Sequence, residues 1–265
     1  MSAARTSPAS RAVGSVARAT HLLEALAASE SGLGVNELAR RIGVNASTAS
    51  RLLATLQEAG LVARTPGGPY RLGLRLVTLS ERVLAQLEVP QLARPLLTSL
   101  VDATGETATL SLPGEDDAIT VDFVPSPSSV VSLARIGRAS VSHATAAGKV
   151  MLAFGGPGGS TRPLPEALRR FTPRTLTDPD ELAAELAAVR QRGFAEAVGE
   201  REPDLAALAA PAFARGGELA AIIGLQGPAA RLPTATRRAL RTPLLAAAAD
   251  LGRSLGGRSP GEAPR

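Results

Sequence analysis

The chain has 265 residues, 45% of them hydrophobic and 20% charged, which is enough for one large or two moderate domains with buried cores. It contains no cysteine, so disulfides, thiolate nucleophiles and cysteine-based zinc sites are excluded. Neither its amino terminus nor any internal stretch offers the ~20 consecutive apolar residues of a membrane span, so we expect a cytoplasmic protein with no membrane partner.

Positive charge is concentrated in the first quarter of the chain. Residues 1–75 carry nine arginines against four glutamates, whereas the remaining residues hold equal numbers of basic and acidic side chains. The whole net charge of +5 therefore lies in this segment. Such an imbalance predicts a polyanionic partner for the segment alone.

The first predicted elements follow the order helix, helix, tight turn, helix. Residues 1–12 are small and polar, and we expect a disordered tail. Apolar residues at helical spacing predict a first helix from Ser15. Asn36 is predicted to cap a short second helix through its side-chain oxygen.

The third helix is amphipathic and leads into a hairpin. Its apolar stripe, which must face a core, consists of Ala49, Leu52, Leu53, Leu56 and Ala59. Gly60 stands where a left-handed residue ends a helix. Short strands are predicted at residues 61–64 and 70–72, on either side of a TPGGP turn. Residues 13–73 are therefore predicted to form a winged helix-turn-helix domain.

The rest of the chain is predicted to be a linker helix and a second domain. An apolar stripe indicates a helix over residues 74–89, which Pro90 and Pro95 break or restart. Residues 90–254 mix strands and helices, and residues 255–265 form a second disordered tail. The strand-like runs lie at 107–112, 118–124, 130–133 and 219–225. The clearest helix there runs from the cap Asp178 to Gly193.

Six blocks of this sequence resemble the IclR family of bacterial transcriptional regulators. The blocks are SVARATHLLEALA, VNELARRIGVNASTASRLLATLQEAGLV, YRLGLRLVTL, VSHATAAGKVMLAF, FTPRTLTDPDELAAELAAVRQRGFA and LAAPAFARGGELAAIIGLQGPAARL. They keep the family's order over residues 13–254. The resemblance implies an α+β protein with an N-terminal winged helix-turn-helix domain, a linker helix, and a C-terminal GAF-like effector domain whose curved antiparallel sheet is flanked by helices. It also implies a ligand-responsive regulator that binds double-stranded operator DNA as a homodimer or a dimer of dimers.

The resemblance gives the polar face of the third helix a role in DNA binding. The candidate contacts are Asn45, Ser47, Thr48, Ser50 and Arg51 around the helix start, Arg40 and Arg41 at the end of the second helix, and Arg64 and Arg71 on the wing. Short hydroxyls at a helix start can donate to phosphates, and an arginine can contact guanine O6 and N7. The alternative is that these side chains only solvate the helix. The family often has a basic residue where Ala46 stands, so one phosphate contact is expected to be missing.

The resemblance also implies an effector site in the second domain. In similar regulators the backbone amides matching Ala146 and Ala147 bind an organic acid; the alternative is a helix packed closely through small residues. Relatives that bind small keto acids have aspartate at the position of Ala197, cysteine at those of Ala207 and Gly224, and serine at that of Gln226. We therefore expect a roomier, less polar pocket, with Gln226 as its remaining side-chain hydrogen-bonder. Its ligand is expected to be a bulkier, more apolar acid than glyoxylate or pyruvate.

No catalytic, metal or cofactor site is predicted from the sequence. There are two histidines: His21 is expected on the surface, and His143 is expected to order the turn before the effector-site helix. One alternative function is a winged helix fused to a small-molecule enzyme, and another is a winged helix that binds protein. DNA binding would be distinguished by an affinity that falls steeply with salt.

Overall fold

The structure, a computed structural model, describes residues 13–66, 68–128, 134–165 and 167–256. These residues form two compact units, divided between Gln86 and Leu87. No helix in the described ranges is both long and apolar enough to cross a lipid bilayer. Each unit has a hydrophobic core of its own.

The first unit is a winged helix-turn-helix followed by one further helix. Its elements are α1 (Gly14–Ala27), α2 (Val35–Arg41), α3 (Ala46–Glu58), β1 (Val62–Arg64), β2 (Tyr70–Leu72) and α4 (Arg75–Ala85). The two strands pair antiparallel, with Val62 opposite Leu72. Apolar side chains of all three helices and of the hairpin share one core: Leu22, Leu26, Leu38, Leu53, Leu56, Val62 and Tyr70. The predicted order of elements is confirmed.

Helix α3 is fixed by its buried stripe and by the residues at its two ends. Ala49 and Leu53 are fully buried. Before the helix, Asn45 has extended backbone, and its Oδ1 accepts a hydrogen bond from the Thr48 amide at 2.8 Å. Such a cap stabilises a helix by about 0.5–2 kcal/mol relative to alanine. At the other end Gly60 has the predicted left-handed backbone, with φ of 72°.

The predicted cap at Asn36 is wrong. Helix α2 begins at Val35, directly after Gly34, and it has no side-chain cap. Asn36 therefore lies inside the first turn, where its side chain no longer precedes the free amides.

Pro90 and Pro95 were predicted to break or restart the linker helix; neither breaks it, and Pro90 lies where the next helix starts. Helix α4 ends at Ala85 and Leu87 is extended, so the chain leaves the helix before either proline. Pro90 occupies the first turn of α5 (Glu88–Thr104), where its missing N–H has no intrahelical partner to lose. Pro95 lies within α5 without ending it.

Among its described residues, the second unit forms a six-stranded antiparallel sheet with four α-helices. After α5 come β3 (Thr107–Pro113), β4 (Ala118–Val124), β5 (Ala139–Ser140), α6 (Ala146–Phe154), α7 (Pro179–Arg192), β6 (Ala195–Val198), β7 (Leu205–Phe213), β8 (Leu219–Pro228) and α8 (Thr234–Ser254). The strand order is β5-β4-β3-β8-β7-β6, which makes β5 and β6 the two edges. A short 3₁₀ turn, Pro157–Gly159, follows α6.

Helices cover both faces of this sheet. Helices α6 and α7 form one core cluster that includes Ala209 of β7, with Ala207 packed against it. Leu208 and Ala210 alternate with these residues and are fully buried too, so they point to the opposite face. Helices α5 and α8 pack on each other and on the sheet. The α+β architecture implied by the resemblance is confirmed.

The strands were predicted only in part. Those at 107–112, 118–124 and 219–225 correspond to β3, β4 and β8. The run at 130–133 lies outside the described residues. Strands β5, β6 and β7 were not predicted, whereas α7 has the predicted caps, Asp178 and Gly193.

Candidate nucleic-acid interface and ligand pocket

The polar face of α3 is exposed opposite its buried leucines. Ser47, Ser50 and Arg51 are exposed and Thr48 is half-buried. In the part of the chain that the structure describes, the Arg51 guanidinium has no hydrogen-bond or ion-pair partner. Asn45 uses its side-chain oxygen for the cap, which leaves its side-chain NH₂ group as a donor. These five side chains therefore lie together around one helix start.

The two arginines at the end of α2 already have an acidic partner. Arg41 Nε donates to Glu37 Oε1 at 2.8 Å, and Arg40 pairs with Glu37 Oε2. Hydrogen bonds from Arg41 and Arg40 hold the pKa of the Glu37 carboxyl below its ordinary value. Because exposed ion pairs are weak, both arginines can exchange this carboxylate for a phosphate.

The wing carries two exposed arginines on adjacent strands. Arg64 Nε donates to the Gly68 carbonyl at 3.3 Å, and its guanidinium carbon lies 5.2 Å from the centre of the Tyr70 ring. Arg71 Nη2 donates to the Ser31 carbonyl at 3.3 Å. Among the described residues, each of these contacts uses one nitrogen of the guanidinium group. The other N–H donors can therefore bind an anion while the contact holds the side chain in place.

The start of α6 presents free backbone amides. Thr145 caps the helix, with its Oγ1 accepting from the Gly148 amide at 3.0 Å. The amides of Ala146 and Ala147 precede the first intrahelical bonds. A Cβ on Gly148 would lie 2.4 Å from the Val141 carbonyl oxygen, so only glycine allows the helix start to pack this closely.

A cavity of about 60 Å³ lies beside this helix start. It is lined by all six residues predicted for the effector site: Ala146, Ala147, Ala197, Ala207, Gly224 and Gln226. Three of them are joined across neighbouring strands, because Ala207 pairs with Ala197 on one side and with Gln226 on the other. The sheet therefore brings together positions that are far apart in sequence.

The cavity also has charged walls that the sequence did not predict. Its other lining residues include Arg135, Arg138, Glu200, Arg201 and Glu202, with the hydroxyls of Thr109 and Thr120. The expectation that Gln226 is the remaining hydrogen-bonding side chain is therefore wrong. No local spacing marks the five charged residues, since they belong to segments that adjoin the two opposite edge strands.

Two contacts join the segments beside these edge strands. Arg138, just before β5, pairs with Glu202, which follows β6. Arg201 Nη1 donates to the Ala139 carbonyl oxygen at 2.5 Å. We call this set, Arg138, Ala139, Arg201 and Glu202, the edge contact. It requires the sheet to curl until β5 and β6 approach each other, and its three charged residues line one side of the cavity.

A buried ion pair lies behind the same wall. The Lys149 side chain is 2% exposed, and its Nζ donates to Glu200 Oε1 at 2.7 Å and to the Glu196 carbonyl at 3.2 Å. Glu200 Oε2 is buried without a hydrogen-bond partner among the described residues. Burial raises the pKa of the Glu200 carboxyl, although the charge and hydrogen bond of Lys149 oppose the rise.

The two histidines lie in different surroundings. His143 is buried, and its Nε2 is 2.9 Å from the Arg169 carbonyl oxygen, a contact that ties the turn before α6 to another loop. His21 is exposed on α1.

Comparisons with known proteins agree with both units. Residues 15–66 match the IclR helix-turn-helix domain, and residues 81–253 match the C-terminal domain of the bacterial transcriptional regulator IclR. The HTH-type transcriptional regulator BhcR of Paracoccus denitrificans is 34% identical over 236 residues, which cover 88% of this chain and 84% of BhcR.

Solved structures show the same similarity. An IclR transcriptional regulator from Alicyclobacillus acidocaldarius is 26% identical with a TM-score of 0.75, over 92% of this chain and 99% of that one. An IclR homologue from Microbacterium hydrocarbonoxydans, crystallised with 4-hydroxybenzoate, is 25% identical with a TM-score of 0.70, over 91% and 99%. The chain therefore belongs to the IclR family of bacterial transcriptional regulators.

Proposed function

We propose that this regulator binds operator DNA through α3 and the wing, and that a small organic acid in the cavity of the second unit changes its affinity for DNA. The observation that carries the proposal is the exposed polar face of α3, opposite the buried Leu53 and Leu56, on which Arg51 has no partner among the described residues. The organisation we propose is a DNA-binding domain at residues 13–73, a linker at 74–89 and an effector domain at 90–254.

Each side chain of the DNA surface has a proposed task. The hydroxyls of Ser47 and Thr48 contact phosphates near the helix start, while Ser50 and Arg51 face base edges in the major groove. The arginines at the end of α2 and on the wing contact the backbone on either side. They are Arg40, Arg41, Arg64 and Arg71.

Arg51→Gln is expected to weaken binding to the operator by about 1–3 kcal/mol, because one bidentate base contact is lost. Fluorescence anisotropy on DNA from the gene's own upstream region measures this. Arg215→Gln, on an exposed turn of the second unit, makes the same charge change and should leave the affinity unaltered. An affinity that does not fall with rising salt, or a value unchanged in Arg51→Gln, would contradict the proposed surface.

We propose that the effector is a carboxylate bound by the amides of Ala146 and Ala147. Three facts support this: the amides precede the helical bonds, they line a cavity, and a similar protein was crystallised with an aromatic acid. Ala197, Ala207 and Gly224 replace larger side chains of relatives that bind small keto acids, so we propose a larger acid here. Gln226 supplies an additional polar group in the wall.

Ala147→Asp is expected to abolish acid binding while the protein stays folded. An aspartate in the first turn favours the helix dipole, but its charge repels a carboxylate at the same amides. Titration calorimetry with acids of increasing length measures binding, and a thermal melt checks the fold. Ala147→Ser adds similar polarity without charge and should keep most of the affinity; equal binding by the aspartate variant would exclude this site.

We further propose a cytoplasmic homodimer or dimer of dimers. In the chain as described, apolar side chains of the first unit are exposed on and beside α1 and α4: Val13, Val16, Leu74, Val77, Leu79 and Val83. A surface of this kind is commonly covered by a partner subunit. The relatives named above are transcriptional regulators, so we propose no catalytic activity.

A further inference from the structure

We propose that the cavity takes a dicarboxylate, whose second carboxylate is bound by Arg201 and Arg135. This inference rests on the proposed function, because the first carboxylate is the one assigned to the amides of α6. It names the chemical class of the effector and two residues that select it.

The first argument is the charge balance of the cavity wall. Among the described lining residues, Glu200 is paired with Lys149, and Glu202 is paired with Arg138. Within the described residues, neither Arg201 nor Arg135 has a carboxylate at ion-pair distance, although the charges of Glu202 and Asp117 act on Arg201 from farther away. The wall therefore presents two guanidinium groups without a directly bound carboxylate, in addition to the positive end of α6.

The surroundings of Arg201 favour the binding of an anion. Its side chain is half-buried, it donates one hydrogen bond to the Ala139 carbonyl, and Arg138 lies in the same edge contact. Burial, and then the charge of Arg138, lower the pKa of the Arg201 guanidinium, while the charges of Glu202 and Asp117 oppose the fall. Because arginine does not lose its proton in a protein, an anion at hydrogen-bond distance would stabilise this half-buried charge.

Arg135 gives the site a second, adaptable donor. It is exposed, it lines the cavity, and it also borders a neighbouring opening with Gly137, Arg138 and Glu202. Its side chain makes no contact that would have to break before an anion binds, as far as the chain is described. A planar guanidinium binds a carboxylate through two parallel hydrogen bonds.

The number of donors argues against a ligand with a single carboxylate. One carboxylate offers about four lone-pair sites, whereas each guanidinium offers about five N–H donors. The two amides of α6 already satisfy part of a first carboxylate. A second carboxylate supplies acceptor atoms for the remaining donors of Arg201 and Arg135. The lining also includes Ala207 and Gly224, which suit a short hydrocarbon chain.

Titration calorimetry on the full chain with matched acids tests the inference. The probes are pentanoate against glutarate and hexanoate against adipate, because each pair differs only in its second carboxylate. We expect the diacid of the better-fitting pair to bind the unaltered protein about 10-fold or more tightly than its monoacid. Arg201→Gln should weaken binding of the diacid by about 10- to 100-fold and change the affinity for the monoacid by less than about twofold.

Two further variants separate this effect from a disturbed fold. Arg135→Gln breaks no contact within the described residues, so a diacid-specific loss of about 3- to 10-fold there would support the inference even if Arg201→Gln folded poorly. Arg215→Gln removes a positive charge from a residue outside the cavity lining and should change the affinity for neither acid.

The opposing outcomes differ for the inference and for the proposed function. If Arg201→Gln weakens mono- and diacids equally, or if diacids bind no better than monoacids, the dicarboxylate is excluded while the acid site stands. In that case Ala147→Asp still abolishes binding. If no acid of the panel binds the unaltered protein, both the dicarboxylate and the carboxylate site at α6 are excluded for acids of this size.

Discussion

Lys149→Met is expected to lower the free energy of unfolding by about 3–5 kcal/mol at pH 7. The substitution leaves Glu200 buried with neither oxygen paired to a cation, and it removes a donor from the Glu196 carbonyl. An uncompensated buried charge is among the largest single-residue effects known for stability. Urea unfolding monitored by circular dichroism measures the loss.

The loss should depend on pH in a definite direction. Burial already raises the pKa of Glu200 above its ordinary value of 4.5, and removing Lys149 raises this pKa further. When the pKa of a carboxyl is higher in the folded than in the unfolded protein, protonation stabilises the fold. This contribution is complete below the pKa of the unfolded state and is lost as the pH rises through the pKa of the folded state. The variant therefore regains stability relative to the unaltered protein as pH falls toward 4.5.

Two further proteins make this prediction decisive. Lys149→Met combined with Glu200→Gln removes both charges and should recover most of the loss, because an uncharged pair carries no desolvation cost of ions. Arg253→Met removes a cation from an exposed pair with Asp250 and should cost less than about 0.5 kcal/mol. A double variant no more stable than Lys149→Met would show that the charge on Glu200 is not the cause.

Elements whose sequence pattern is local were predicted well. The stripe around Leu53, the glycine after α3 and the capped ends of α7 can each be read within the segment that forms the helix. Strands β6 and β7 were missed because AEAV and LAALAAPAF are rich in alanine, which favours helices when considered alone. The pairing of β7 with β8 and of β6 with β7, together with burial in the core, overrides that preference.

The two candidate sites also differ in how far their residues are separated in the sequence. The polar face of α3, which we propose binds DNA, could be predicted as exposed because it is one face of one helix, although the capping role of Asn45 was not foreseen. The small residues of the cavity came from the family resemblance. Arg135 and Arg201 could not be predicted from the sequence, since the curl of the sheet brings together segments beside opposite edge strands.

Leu53→Ala is expected to abolish DNA binding and to leave acid binding intact. Leu53 is fully buried in the core shared by α1, α2, α3 and the hairpin, and such a truncation costs about 2–5 kcal/mol. A small domain often has little more stability than this to lose, so the first unit should unfold at physiological temperature. Anisotropy on operator DNA and calorimetry with the acid measure the two units in one protein.

The separate cores of the two units are the reason to expect this selective loss. Gln57 lies on the exposed face of α3, and Gln57→Ala shortens a side chain of similar length. This control should change neither the fold nor the binding of the acid. If Leu53→Ala abolished acid binding together with DNA binding, the second unit would depend on the first for its stability. If it left DNA affinity unchanged, the packing of Leu53 would not be what holds α3 in a DNA-binding position.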